Sequence, residues 1–381
     1  MINEVRLDEI CVVIAGQSPP SDSYNQDKNG VPFFQGKADF GSLYPTVRYW
    51  CNKPTKISLP NDILFSVRAP VGPTNINNIE ACIGRGLSAL RCKKDILEMK
   101  YLLHYLRVNE KKISDLGTGS TFKAITISEL KKLKIPLPPL PQQQKIANIL
   151  DAAATLKQND KALIAKYDAL TQALFLEMFG DPVRNPKGWE KVTLKHFGKI
   201  STGNTPSRSE DENYSSKHIE WIKTDNIKEN YLYITQAGEY LSEVGLSRAR
   251  SVEKDAILVA CIAGSIESIG RAALTDRKVS FNQQINAIEP NSKVNPKYLY
   301  YLIRNCKKHI QNHASNGMKR MLTKGEFEKI LMISPPIELQ NQFAARVTLI
   351  EQQKAIAQKS LEKSEALCNS LLQKAFNGGL T

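Results

Sequence analysis

The tripeptide Ser-Pro-Pro occurs at Ser18-Pro19-Pro20 and at Ser334-Pro335-Pro336, and it is the nearest approach to a catalytic motif in this sequence. In a DNA adenine methyltransferase, such a run is followed at once by an aromatic residue on which the flipped base stacks. Here the following residues are Ser21 and Ile337. The second copy opens a helix, where proline acts as terminator and first-turn residue. Gly117–Lys123, GTGSTFK, is glycine-rich but lacks the G-x-x-x-x-G-K-[ST] spacing that cradles a phosphate. No G-x-G-x-x-G follows a strand, and the five histidines form no ligand pairs at helical or finger spacing. The acidic run Glu210-Asp211-Glu212 reads as a solvated loop. The sequence therefore offers no catalytic site, no metal site and no cofactor loop.

What it does offer is charge. The chain has 381 residues, 52 Lys and Arg against 38 Asp and Glu, and a formal net charge of +14. That balance favours a polyanionic partner, nucleic acid first and a membrane surface second; the plain alternative is a basic soluble protein. The seven cysteines are scattered without a C-x-x-C pair, as expected for reduced thiols of a cytoplasmic protein. The N-terminal MINEVRLDEI has no apolar signal core, and the apolar run at 256–263 is too short to span a bilayer, so no membrane is expected.

The elements that position these side chains come in duplicate. Setting Pro335 on Pro138, an offset of 197, superposes Gln340 on Gln143, Ala344 on Ala147, Lys354 on Lys157, Lys363 on Lys166, Leu371 on Leu174 and Phe376 on Phe179. The same register puts Lys297-Tyr298-Leu299 on Lys100-Tyr101-Leu102 and Thr323 on Thr126. Nearer the start the offset is 187, with Val192 on Val5 and Gly203 on Gly16, so the second copy has gained ten residues before position 297. A repeat of this length must be recognised before any fold is assigned. Each copy begins with short strands bounded by turn residues, including Ile63–Val67 and Ala256–Ile262, each introduced by an aspartate (Asp62, Asp255). A helix over 100–112 or 297–309 follows, giving a compact α+β module of about 130 residues. GDPVRNPKGW (180–189) reads as the linker between the copies.

Each copy ends in a long helix. Between Pro141 and Gly180 there is no proline or glycine, and Ile146, Ile149, Ala153, Leu156, Asp160, Leu163, Tyr167, Leu170 and Leu174 step by threes and fours. This is a heptad seam with a polar interruption at Asp160. A rod of about 58 Å with an apolar stripe needs a partner. The second copy supplies it along Phe343, Val347, Ile350, Ala357, Leu361, Cys368 and Leu371, interrupted by Lys354 and Ser364. Antiparallel packing about a pseudo-twofold axis would also bring Thr381 near Met1.

The order of a strand-rich module, PLPPLPQQQKIANIL, a heptad helix ending LFLEMFGDP, then a second module and a helix ending LLQKAFNGGL resembles the specificity (S) subunits of type I restriction–modification enzymes. The likeness covers essentially the whole chain. It departs from the family pattern at Gln142 and Leu339, where glutamate is usual. The resemblance implies an α+β chain of two similar α/β target-recognition domains separated by two long antiparallel helices, a coiled coil with a pseudo-twofold internal repeat. The divisions would be residues 1–136 and 181–333 for the recognition domains and 137–180 and 334–381 for the spacer helices. It implies a double-stranded DNA partner with a split site, two methyltransferase subunits and, where the system has them, restriction subunits. S-adenosylmethionine would belong to the methyltransferase subunits, with no cofactor on this chain.

The loops that match the family's recognition segments carry Gln35, Lys37, Arg68, Arg85 and Lys123 in the first module. In the second they carry Arg208, Lys223, Asn226, Arg271, Asn282, Gln283 and Arg320. Cations meet phosphates, while Arg, Lys, Asn and Gln read base edges. An ordinary solvated or structural role serves any single one of them equally well. Asn282-Gln283-Gln284 stands out because side-chain amides pair with adenine edges. Two other functions stay open: a self-contained DNA methyltransferase or nuclease, disfavoured by the missing motifs, and a protein-only coiled-coil adaptor, which has no need of the charge. If the modules read independently, replacing residues 1–134 with a relative's module changes one half of the recognised site and leaves the other intact. Mapping methylated sites in a genome carrying the exchange checks this; a change in both halves would refute it.

Overall fold

The computed structural model describes residues 3–119, 123–229, 231–315, 320–376 and 379. Met1 and Thr381, and 120–122 of the glycine-rich loop, lie outside them. The chain forms two compact units, Met1–Lys161 with Lys359–Thr381, and Ala162–Gln358.

In the first unit an antiparallel sheet runs in the order Cys11–Ala15, Leu87–Cys92, Ile63–Ser66, Thr74–Ile76. Ile63–Ser66 is buried along its whole length, which is why it reads as an apolar run without alternation. A second sheet carries Tyr24–Asn25, Tyr49–Cys51, Val31–Phe34, Ala81–Ile83 and Ile57–Ser58 in that order. Its Val31–Phe34 and Ala81–Ile83 strands are parallel.

The second unit repeats this arrangement. One sheet is ordered Gly198–Thr202, Ile285–Pro290, Ile257–Ala260, Ala272–Leu274. The other is ordered Tyr240–Leu241, Ile219–Ile222, Val279–Phe281, Ser251–Val252, again with one parallel pair, Ile219–Ile222 beside Val279–Phe281. The internal repeat read from the sequence is thus a repeat of topology. The turn before each buried strand places Asn61 (φ 71°) and Asp255 (φ 69°) in the left-handed region. Their amides donate to Asn77 O and Thr275 O, both at 2.8 Å. Asp255 therefore corresponds to Asn61 and not to Asp62, whose buried carboxylate instead accepts from Leu59 N at 2.8 Å and pairs with Arg91 at 2.9 Å.

The single helix expected over 100–112 and 297–309 is two helices in each copy. Met99–Val108 gives way to Glu110–Asp115 at Asn109, and Pro296–Asn305 to Lys307–Gln311 at Cys306. The amide side chains of Asn109 and Asn305 bond back to Tyr105 O (3.0 Å) and Tyr301 O (2.8 Å), competing with continuation of the helix. The expected linker is equally structured. Trp189 Nε1 donates to Phe179 O at 2.9 Å, and Lys187 Nζ donates to Glu177 O and Met178 O at 2.6 and 3.0 Å. These bonds satisfy carbonyls that a helix end leaves open. Gly180 (φ 77°) turns the chain against Pro186.

The long helices span Leu140–Phe179 and Ile337–Phe376. In the first unit Ile146, Ala147 and Leu150 share a core with Ala375, and Leu371 and Phe376 pack against it. Further along, Lys157 and Lys161 each meet Glu365 at 3.3 Å, and Ser360 Oγ donates to the buried Asp160 at 3.0 Å. The two segments run antiparallel. In the second unit Phe175 and Phe179 pack edge-on against Phe343 at 5.6 and 5.3 Å, with Leu174 beside them and Val347 in the same core. Lys354 meets Asp168 at 2.7 Å, again antiparallel.

The packed stripe does not run through Leu156, Leu163 and Leu170, which are 45%, 40% and 51% exposed. It steps by four then three, through Leu150, Lys157, Ile164 and Thr171, each one residue beyond the predicted position; Ile149 is half-buried on its flank. Ile350 is half-buried and Leu361 buried on the second helix.

Each long helix is locked to its module by a buried glutamine. Gln143 accepts Glu98 N at 2.9 Å and donates to Ile96 O (3.0 Å) and Pro138 O (2.8 Å). Gln340 accepts Asn295 N at 2.9 Å and donates to Pro335 O at 2.8 Å. Gln143→Ala leaves these backbone groups buried without partners, at a cost of about 3 kcal/mol. A thermal melt of this variant shows a midpoint lowered by roughly 5–10 °C; an unchanged midpoint would show that the amide is dispensable.

Candidate nucleic-acid interface

Both modules build the same loop frame from backbone contacts. A Cβ on Gly16 would stand 2.2 Å from Gly84 O, and one on Gly203 would stand 2.3 Å from Asn282 O, so only glycine permits the approach. In the first module Val67 N donates to Gly86 O at 3.0 Å, and Ile125 N donates to Val67 O at 3.0 Å. In the second, Cys261 N donates to Gln284 O and Leu322 N to Cys261 O, both at 2.8 Å. Three loops are thereby tied side by side in each module. The matching bonds make Arg85 equivalent to Gln283 and Lys123 equivalent to Arg320.

A fourth loop follows Val31–Phe34 and Ile219–Ile222. The buried Asp39 accepts Gln35 N at 2.7 Å, and the buried Asn226 accepts Lys223 N at 3.0 Å. Gln35 and Lys223 occupy equivalent places. A side chain on Gly86 would stand 2.5 Å from Gln35 O, so the Arg85 loop lies directly against the Gln35 loop.

The first-module candidates are therefore largely gathered. Gln35, Lys37, Arg68 and Arg85 are all exposed, and Arg68 and Arg85 line a cavity of about 320 Å³ together with Thr118 and Ala124. Lys123, on the strap that bridges Arg68 through Ala124, is 3.7 Å from Asp115.

In the second module the candidates divide. Gln283 and Arg320 are exposed, and the Thr205 hydroxyl donates to Gln283 Oε1. Asn226 also donates to Gln236 O at 3.0 Å, so its amide holds the loop and is not presented. Asn282 is likewise buried, its amide oxygen accepting Gln284 N and its nitrogen donating to Gln284 Oε1, both at 3.1 Å. Arg271 is half-buried, with Nε donating to Ser268 O at 3.3 Å. Arg208 stands over the Tyr214 and Trp221 rings at 4.9 and 5.2 Å, and Lys223 stands 5.2 Å from Trp221. Both cations meet Glu239, Arg208 at 2.6 Å. The hydrogen bond from Lys223, reinforced by Arg208 against the effect of burial, holds the Glu239 carboxyl below the usual carboxylate range. A reading restricted to cations and amides passes over Glu239. Its signal is an acid opposite a tryptophan in a strand pair next to lysine and arginine.

Each Ser-Pro-Pro run is irregular backbone that leads into a helical segment, Ser21–Ser23 in the first copy and Ile337–Phe376 in the second. Pro19 O accepts the Tyr24 hydroxyl at 2.5 Å, and Pro335 O accepts the Gln340 amide.

A family model described as the type I restriction modification DNA specificity domain matches residues 2–166 and 186–366. The chain belongs to this family and carries its domain twice. It is 48% identical over 157 residues to the putative MjaX specificity subunit of Methanocaldococcus jannaschii, 40% of this chain and 37% of that protein. It is 30% identical over 198 residues to the HindI specificity subunit of Haemophilus influenzae, 51% of this chain and 42% of that protein. The chain thus spans less than half the length of each of these two relatives. The crystal structure of a type I restriction–modification S subunit from M. genitalium has the same fold, with a TM-score of 0.67 at 18% identity over 98% of this chain and 96% of that one.

Asn282→Ala, which removes two internal bonds, lowers stability by about 1–3 kcal/mol, whereas Gln283→Ala stays within about 0.5 kcal/mol. Urea titration followed by tryptophan fluorescence distinguishes them; equal midpoints would place Asn282 among the presented side chains.

Proposed function

We propose that this chain is the DNA-reading, non-catalytic subunit of a type I restriction–modification system. Each module reads one half of a split double-stranded site. The observation that carries this reading is the doubled loop frame, which holds different side chains in equivalent places: Gln35 against Lys223, Arg85 against Gln283, Lys123 against Arg320. Two similar but unequal readers suit two unequal half-sites, with phosphate contacts supplying affinity and base-edge contacts supplying the choice. Gln35, Lys37, Arg68, Arg85, Lys123, Arg208, Lys223, Gln283 and Arg320 are the residues proposed to face DNA. Asn226, Asn282 and Arg271 are proposed to support them.

The long helices are proposed to receive two methyltransferase subunits, and restriction subunits where the system has them. In the second unit Leu163 and Leu170, and Leu349 and Ile356, are exposed at heptad spacing, apolar positions that suit partner helices. S-adenosylmethionine then binds to the methyltransferase subunits. No helix among the described residues is long and apolar enough to cross a membrane, and the proposed site of action is the cytoplasm, where the DNA is.

The test is division of labour. The purified chain transfers no methyl group from S-adenosylmethionine to DNA, and methylation of one bipartite sequence appears when its methyltransferase partner is added. Methylation by the chain alone would overturn the reading.

A further inference from the structure

Resting on the reading of the second module as a half-site reader, we infer that Glu239 is a positioning residue that aims Arg208 and Lys223 at a guanine–cytosine pair in that half-site. The platform beneath the cations is fixed to the backbone. The Tyr214 hydroxyl donates to Pro206 O at 2.8 Å, Trp221 Nε1 donates to Asn204 O at 3.3 Å, and Trp221 N donates to Glu239 O at 3.0 Å. Two long, rotamer-rich side chains are thereby held by one carboxylate against two ring faces. They remain reachable, with Arg208 and Lys223 side chains 56% and 31% exposed. The ion pair engages Arg208 through Nη2, one corner of a guanidinium that carries five N–H donors.

The first module shows what this cluster adds. It has the same aromatic turn, with Tyr24 4.6 Å from Phe33 and its hydroxyl on Pro19 O. There Tyr49 pairs with Phe33 where Glu239 O accepts Trp221 N just beyond the Ile219–Leu241 pairing, and Gln35 stands where Lys223 stands. The carboxylate and both cations belong to the second module's version of a shared platform. They also adjoin its exposed loop, because Thr205 of the 204–208 turn bonds Gln283.

The chemistry of the trio selects between phosphate and base. A carboxylate between two cations repels a phosphate, so a site meant only for backbone would do better without it. A G·C pair presents two acceptors, guanine N7 and O6, beside a donor, the cytosine N4 amino group. Two cations held side by side by one carboxylate match the two acceptors on the guanine edge of that pair.

The experiment selects binders from a fully randomised duplex pool, using the full chain purified with the subunits it assembles with, and sequences them. The native chain enriches a bipartite site with a G·C pair in one half. Glu239→Gln loses the preference for that pair by roughly tenfold or more, keeps the other half-site, and binds DNA with a steeper salt dependence as the released cations turn to phosphates. Arg208→Lys, which keeps charge without the guanidinium fork, loses the same preference even if Glu239→Gln proves unstable. Native preference at every position in either folded variant overturns the inference. If the native chain enriches no sequence at all, the half-site reading fails, and this inference fails with it.

Discussion

A glutamine amide with no exposed surface stands at the entrance of each long helix, and it sets where module and helix meet. Gln143 and Gln340 each take the backbone amide that opens the neighbouring module helix, at Glu98 and Asn295, and return a donor to the proline carbonyl before their own helix. One side chain thus closes two helix starts, where backbone groups would otherwise go unmet. The prolines and the glutamine act together: the prolines end the preceding strand, Lys134–Pro136 or Leu331–Ile333, and the amide fixes the segment between strand and helix as a joint. The tyrosine hydroxyls of Tyr101 and Tyr298, donating to Pro136 O and Ile333 O at 2.8 and 3.1 Å, seat the module helix on the same strands.

From that joint outward, each module is a set of short strands whose loops are held by backbone bonds and by a few buried polar side chains. Glycine at 16 and 203 allows the closest approach, and two successive backbone bonds lash the strap to the loop beside it. Asp39 and Asn226 do the same work with different charge, the first pairing with Arg48 at 2.5 Å and the second donating its amide to Gln236 O. Presented and supporting polar residues are therefore separable within a few positions of each other.

The duplication, the strand-rich modules and the two long helices were legible because each rests on features that survive without tertiary context: register, proline placement and heptad spacing. The choice between heptad phases was not. The two phases share Ile146, Ala153, Asp160, Tyr167 and Leu174 and differ by one residue at the positions between them, and apolarity alone selects Leu156 over Lys157. Packing selects Lys157, because Glu365 lies across from it and Ser360 donates to one oxygen of Asp160 nearby. The amides in the Asn-Gln-Gln run divided for a similar reason. Whether an asparagine reads outward or folds back on its own turn depends on backbone angles that composition does not carry. Glu239 was passed over because its role exists only once a strand pairing sets it opposite Trp221.

The loop frame has an evolutionary consequence. Because the frame is made of main-chain bonds, glycine contacts and the buried Asp39 and Asn226 side chains, the residues at 35 and 223, 85 and 283, and 123 and 320 are tenants of fixed seats. A change of tenant leaves the bonds that hold the seat in place. In the proposed reading, foldability and target choice are carried by separate residues, so single substitutions would move the chain between recognition sequences while its core, its joints and its long helices stay under unaltered constraint.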